Sequence, residues 1–300
     1  MLEVIKLTKD FKGHRAIDDI SFSIEKGNIF GIIGPNGAGK TTTIRTILNI
    51  IKPTSGKVLF SGNPISNDVY NRIGYLPEER GLYKKSKVAD IIKYFARLKN
   101  MSRHEISLRS QNLMSRLDLA NFGNKYVYEL SKGNQQKVQF LTSIIHEPEI
   151  LILDEPFTGL DPINQSVIKS VIAEFIDSGK IVLLSTHMME VAESLCSDIF
   201  LLNKGKEILS GPLPRVKENF GKNTYKIKFK GDPSVLEDLD DIEILKIYDD
   251  TADIIINSDV DPAEIIPTIS KRIRIHHFTY IEPTLNNIFI ETVLASNKSE

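Results

Sequence analysis

Four short stretches of the chain, residues 29–33, 150–153, 181–184 and 199–202, are apolar without polar alternation. A strand with one wet face alternates apolar and polar positions, so such runs predict strands covered on both faces and hence a parallel α/β sheet. Ile163, Val167, Ile168, Val171, Ile172 and Phe175 recur at helical spacing behind Pro162, a residue suited to a first helical turn, and predict a crossover helix. Near the N-terminus, Ile5, Leu7, Ile20, Phe22 and Ile24 alternate with polar residues, the pattern of antiparallel strands with one exposed face.

Residues 86–145 hold no strand-like run. Val88, Ile91, Ile92, Phe95 and Leu98 share one helical face, as do Leu113, Met114 and Leu117, which predicts a helical subdomain inserted into the sheet domain. After Gly221 the character shifts: residues 222–300 carry 9 Lys and Arg against 15 Asp and Glu, so this tail is at -6 and the remainder at +5. A boundary is expected near Lys222, dividing the chain into domains 1–221 and 222–300. In the tail, residues 225–229, 242–248, 252–256 and 275–281 read as strands and 234–239 and 263–273 as helices, with a last helix over 284–294 behind Pro283. The order β-α-β-β-α-β matches a ferredoxin-like α+β module.

Three hundred residues, 41% hydrophobic and 26% charged with a net charge of -1, suit a two-domain globular protein and demand no nucleic acid as partner. No apolar run approaches the roughly 20 residues that cross a bilayer. The first residues lack the apolar core of a signal peptide, so any membrane role is expected to be peripheral. The lone Cys196, beside Leu195, cannot pair internally and reads as a buried spectator in a reducing compartment, which places the expected location in the cytoplasm.

Gly34-Pro35-Asn36-Gly37-Ala38-Gly39-Lys40-Thr41 matches the Walker A pattern, directly after an apolar strand and before a helical sequence opening at Thr42. Glycines let backbone N–H groups turn toward a β-phosphate, the helix N-terminus adds positive potential, and Lys40 reaches the β- and γ-phosphates. Asn36, Gly37, Ala38, Gly39, Lys40, Thr41 and Thr42 are therefore candidate nucleotide-binding residues, with the Thr41 hydroxyl on Mg2+. The motif is shared by kinases, GTPases and motor ATPases. Asn203-Lys204-Gly205-Lys206 begins like a guanine-reading sequence but ends in lysine, so it reads as a hairpin turn instead.

Residues 150–153 run into Asp154-Glu155-Pro156, two acids at the C-terminal end of a buried strand. This resembles the Walker B motif of ABC ATPases, which implies that Asp154 helps to hold Mg2+ and Glu155 polarises the attacking water. Leu130-Ser131-Lys132-Gly133-Asn134-Gln135 resembles the family's signature LSGGQ, with Lys132 and Asn134 as departures; Ser131 also suits a helix cap. The resemblance implies that Ser131 and Gly133 meet the γ-phosphate held by a second nucleotide-binding subunit, a homodimer in the expected arrangement. Thr158-Gly159-Leu160-Asp161 resembles the D-loop, adding Asp161, and Ser185-Thr186-His187 resembles the switch histidine, a γ-phosphate sensor. Phe11 stands where the family stacks an aromatic on adenine, with core packing as its alternative. Glu78, in Ile73-Gly74-Tyr75-Leu76-Pro77-Glu78, stands where most members have the Q-loop glutamine; its oxygens still suit Mg2+ but add negative charge. His276 and His277 are adjacent on an expected strand, face opposite ways and make no metal pair.

The resemblance covers residues 1–221. The sequence from Tyr75 to Tyr83, the LSKGNQQK form of the signature and the ending Pro283-Thr284-Leu285-Asn286-Asn287-Ile288-Phe289 resemble ABC-2 type exporters, including the sodium-extruding and drug-export groups. The resemblance thus implies a Mg-ATP-hydrolysing subunit, peripheral on the inner face of the cell membrane, that drives export of ions or drugs through a separate integral-membrane permease. A soluble ABC ATPase would ordinarily show a second cassette, a coiled coil or a basic tail. The acidic tail is open to a regulatory or a dimer-forming role.

Overall fold

The computed structural model describes residues 1–79, 81–220, 223–239, 241–257 and 260–297. The chain divides into two compact units, Met1–Leu213 and Pro214–Glu300. The boundary expected at Gly221 and Lys222 lies outside the described residues.

The first unit begins with β1 (Leu2–Phe11), β2 (His14–Ile24), β3 (Ile29–Ile33), α1 (Lys40–Ile47), β4 (Ser55–Phe60), β5 (Asn63–Pro64), α2 (Asn67–Asn71) and β6 (Ile73–Leu76). A helical stretch follows, α3 (Val88–Leu98), α4 (Arg103–Arg116) and α5 (Lys132–Ile144). The chain then returns through β7 (Ile150–Asp154), α6 (Pro162–Asp177), β8 (Ile181–Thr186), α7 (Met189–Leu195), β9 (Asp198–Asn203) and β10 (Lys206–Pro212). Six strands form a sheet in the order β10-β9-β3-β8-β7-β6, parallel except at its β10 edge. Every residue of β3, β7 and β8 is buried, as continuous apolar runs require of strands covered on both faces. Cys196 is buried too: its Sγ would lie 2.6 Å from a Cβ at Gly31, and burial, with Asp198 nearby, pushes the thiol up to about 12.

A second, antiparallel sheet has the order β2-β1-β4-β5. Simple alternation holds for Ile20, Phe22 and Ile24 of β2, which turn toward the core, but misreads the faces of β1. Lys6 and Asp19 take left-handed backbones (φ +48° and +50°) and shift the β1–β2 register, so Leu2, Val4 and Leu7 turn inward and Ile5 is left half-buried. A bulge inserts one residue and flips the faces beyond it, which a period of two cannot register.

In the helical stretch, α4 opens with a reciprocal cap: Glu105 N–H donates to Ser102 Oγ and Ser102 N–H donates to Glu105. Asp161 caps α6 ahead of Pro162.

Helix α8 (Leu213–Phe220) begins on the last residue of the first unit, and the second unit continues with β11 (Thr224–Lys230), α9 (Ser234–Glu237), β12 (Ile242–Tyr248), β13 (Thr251–Ile256), α10 (Pro262–Ser270), β14 (Arg274–Tyr280) and α11 (Leu285–Asn297). Its sheet has the order β12-β13-β11-β14 with every pairing antiparallel. That is the ferredoxin-like arrangement, in which each βαβ crossover skips a strand. One face packs Ile227, Phe229, Ala252 and Ile254 against Leu236, Ile265 and Ile269, while Lys226, Lys228 and Lys230 lie on the other. No described helix is long and apolar enough to cross a membrane.

Candidate functional site

In the large sheet β3, β8, β7 and β6 lie side by side and parallel, so their C-terminal ends open on one edge. Ligands of α/β sheets bind at such edges, where loops leave the strands. The loop after β3 is the Walker A sequence, Asp154 ends β7 with Glu155 next, His187 follows β8, and Glu78 lies two residues past β6.

The phosphate loop bounds an open cleft of about 460 Å3 with Asn36, Gly37, Gly39, Lys40, Thr41 and Thr42 on its walls. Gly39 (φ +109°) could not carry a side chain, since a Cβ would stand 2.6 Å from the carbonyl oxygen of Ala16. Helix α1 starts there without a side-chain cap, so its first-turn N–H groups are open to an anion. Ala38 is buried behind the loop and accepts from Gly205 N–H (2.9 Å). Phe11 is at the rim, 43% exposed with Lys9 Nζ 4.9 Å from its ring centroid, and is no core side chain.

Lys40 is buried, donating to Gly34 O (2.9 Å) and Pro35 O (3.2 Å), with its Nζ 3.3 Å from Glu155 Oε1. The other carboxylate oxygen, Oε2, meets His187 Nδ1 at 2.9 Å and accepts from the Thr158 hydroxyl at 3.1 Å. Glu155 has a left-handed backbone (φ +51°), a conformation costing a non-glycine residue roughly 1–2 kcal/mol. Its N–H, donating to Ser185 O (3.2 Å) and Oγ (3.1 Å), holds it there.

Asp154, fully buried, accepts from Ser185 Oγ and from Thr41 Oγ1 (3.2 Å) on one oxygen; the other is buried without a hydrogen-bond partner. Burial raises its carboxyl above the usual range, the hydroxyls of Ser185 and Thr41 pull it down, and the charges of Glu78 and Glu155 push it up again. Thr41 Oγ1 is also 3.3 Å from Glu78 Oε2. Hydroxyl and carboxylate oxygens around an orphaned carboxylate atom fit a hard divalent cation. No group of three His, Cys, Asp or Glu side chains among the described residues could hold one, so phosphate oxygens or water would complete its shell.

Two family models match. One, described as "ABC transporter", covers residues 17–158; the other, "ATP-binding protein DrrA1-3-like, C-terminal domain", covers 211–293. An ABC transporter ATP-binding protein of Bacillus subtilis, YhaQ, itself uncharacterized, is 41% identical over 293 residues, covering 98% of each chain. The chain belongs to the ABC transporter ATP-binding proteins. The Nod factor export ATP-binding protein I of Rhizobium meliloti is 34% identical over 242 residues, 79% of this chain and 72% of that one. Among solved structures, the dimeric bacterial ABC transporter cassette MJ0796 superposes with a TM-score of 0.66 at 25% identity, covering 71% of this chain and 99% of that one. The chain is thus the ATP-binding subunit of an ABC transporter, an ABC ATPase.

Three expected ABC site residues lie elsewhere in the unit. Ser131 caps α5 by accepting from Asn134 N–H (3.2 Å), and a Cβ on Gly133 would stand 3.0 Å from Asn164 Nδ2. Asn164 in turn donates through its backbone N–H to Asp161 (2.9 Å), whose carboxyl these contacts hold below the usual range. Gly133 and Asp161 meet at Asn164, Ser131 stands two residues before Gly133 at the start of α5, and none of the three lines the P-loop cleft.

Arg15, Ala16, Lys204 and Gly205 also stand on the cleft wall, and no sequence motif marks them as binding residues. The sequence pattern marks Gly205 as a hairpin glycine. A Cβ there would meet Ala16 O at 2.8 Å, so the position serves close packing as well as the turn. Ser185 was visible as a small polar residue ending an apolar run, but its bond to Asp154 was not.

Proposed function

We propose that this subunit hydrolyses Mg-ATP in a site completed by a second nucleotide-binding subunit and thereby drives export through a separate membrane permease. The observation that carries the reading is the Glu155 carboxylate, held between Lys40 on one oxygen and His187 with Thr158 on the other, at the mouth of the phosphate loop. A triphosphate seated on the loop draws Lys40 toward its β- and γ-oxygens, which frees Glu155 Oε1 to orient a water and accept its proton. His187 holds the carboxylate's aim through Oε2. Thr41, Asp154 and Glu78 would hold a magnesium ion, which when bound polarises the terminal phosphate.

The separation of Ser131, Gly133 and Asp161 from the P-loop cleft supports a dimer in which each chain lends these residues to its partner's nucleotide; the dimeric MJ0796 cassette is the precedent. For the permease we assign a patch on the helical stretch. Tyr83, Tyr94, Tyr126 and Tyr128 are exposed, the last two stack at 5.5 Å, and Lys87 Nζ is 6.0 Å from the Tyr126 ring centroid. Residues 84–86 and 127–128 are joined by backbone bonds, so the tyrosines and Lys84, Lys85 and Lys87 share one surface, suited to an amphipathic segment with acidic residues. That attachment would place the chain on the cytoplasmic face of the membrane. Export is supported by the Nod factor export relative, and sodium ions or drugs as substrate classes rest on the resemblance of residues 75–83, 130–137 and 283–289 to ABC-2 type exporters.

Glu155→Gln in the full chain tests the mechanism. Retained ATP with turnover down about 10²–10⁴-fold is expected of a lost general base; undiminished hydrolysis would overturn it.

A further inference from the structure

Position 78 carries a glutamate where the family resemblance places a glutamine, and the surroundings of that carboxylate are specific. Three elements deliver oxygens to one point: α1 brings Thr41, β7 brings Asp154 and the loop after β6 brings Glu78. Thr41 Oγ1 lies 3.2 Å from Asp154 Oδ1 and 3.3 Å from Glu78 Oε2, yet a hydroxyl has one proton and can donate to only one of them at a time.

Among the described residues, the nearby cations are committed elsewhere. Lys40 is held by Gly34 O, Pro35 O and Glu155, and Arg45 reaches Glu79. The loop carrying Glu78 is pinned as well, because buried Gln139 of α5 donates through Nε2 to Pro77 O (3.3 Å) and Glu79 O (3.0 Å). The second oxygen of Asp154, a residue with no exposed surface, has no partner. Among the described residues, two carboxylates and a hydroxyl thus face one another with no positive charge between them, and one buried carboxylate oxygen has no hydrogen-bond partner.

We propose that Glu78, Thr41 and Asp154 form a divalent-cation site that fills in the nucleotide-free chain, with Glu78 as the residue that makes binding independent of ATP. The inference rests on the ATPase reading for the identity of the cleft and deepens it with an order of binding. Two carboxylates match the charge of a divalent ion, and magnesium or manganese is commonly held by one or two of them with water in the remaining positions. With glutamine at position 78 one of those charges is gone, and the ion depends on phosphate oxygens to stay.

Manganese alone, titrated into the nucleotide-free full-length chain and followed by loss of the free-ion EPR signal, tests this directly. One site is expected, with magnesium competing for it. Glu78→Gln should weaken binding at least about tenfold, Asp154→Asn should remove it, and Glu79→Gln, one residue away and turned to Arg45, should leave it unchanged. Glu78 is exposed, so its variant keeps the test decisive even if Asp154→Asn fails to fold. No manganese binding without nucleotide, or the same affinity in Glu78→Gln, would overturn the proposal. A fluorescent ATP analogue titrated into the same samples separates the two readings: ATP binding without binding of manganese alone sinks only the cation site, whereas no ATP binding sinks the ATPase mechanism beneath it.

Discussion

Each unit contains an ion pair of nearly the same length in opposite surroundings. Lys40 and Glu155 approach to 3.3 Å with 6% and 5% of their side chains exposed, whereas Arg272 and Asp238 approach to 3.4 Å with 51% and 69% exposed. The contrast extends to the units as wholes. The first buries Lys40, Asp154 and Glu155 beside its cleft, while the second, among its described residues, buries apolar side chains and no charged one. Taking charge out of water costs several kcal/mol per ion unless partners offset it. A fold holds charge inside only where other forces over-determine the geometry, as the flanking all-buried strands β3, β7 and β8 do here. The second unit is an apolar core with solvated charges.

The sharpest way to break the comparison is to remove one partner from the buried pair. Lys40→Met keeps most of the aliphatic stem and deletes the charge, leaving Glu155 Oε1 buried without its cation. A loss of about 3–5 kcal/mol in the denaturant-unfolding free energy of the first unit is expected from a broken buried pair. Most of it should return in the Lys40→Met/Glu155→Gln double variant, because the uncompensated charge is then gone. A single variant as stable as the parent would mean that Glu155 is solvated in solution and that the cleft is wetter than its geometry implies.

Whether such a pair could be foreseen depends on which contacts are local. Strands β3, β7, β8 and β9 are legible because burial on both faces writes continuous apolar residues into the chain, and the phosphate loop is legible because its geometry is set within eight consecutive residues. The ferredoxin-like order of the second unit follows from the succession of elements, since a βαβ crossover skips a strand and leaves room for the next. Contacts fixed by register between distant strands were not legible. Ser185 reaches Asp154 across 31 positions and His187 reaches Glu155 across 32. The sequence names these residues without saying that they touch. The bulge at Lys6 escaped for a related reason, since Lys has no preference for a left-handed backbone, while Asp19 carried only the mild preference that Asp shows for it.

A smaller effect comes from a half-buried ionisable group of the first unit. His146 Nε2 donates to Ile73 O at 3.1 Å and its Nδ1 is buried without a partner; burial, followed by the charge of Lys99, lowers it from 6.5 to about 4. Unfolded, this histidine takes up a proton as pH falls through 6.5, whereas folded it resists until about 4. The unfolded state then binds more protons, so stability falls with pH across that window, by about 3 kcal/mol at the bottom of it. Unfolding curves between pH 7 and 4 should show the loss, and His146→Gln, which keeps a donor for Ile73 O but does not titrate, should flatten it. An unchanged slope in that variant would assign the acid sensitivity to other groups.

The smallest effect belongs to the exposed pair. Arg272 and Asp238 already face water on most of their surface, so the folded state adds little to what each group finds in the unfolded chain, and ordering two side chains offsets the attraction. Arg272→Ala should change the stability of the second unit by no more than about 0.5 kcal/mol. Added salt should shrink even that difference, since about 0.15 M already screens exposed charges beyond roughly 8 Å. Thermal melts at low and high salt measure both. If Arg272→Ala cost as much as Lys40→Met, separation alone would set the strength of an ion pair in this protein, and the argument that places its chemistry where charge is buried would fail with it.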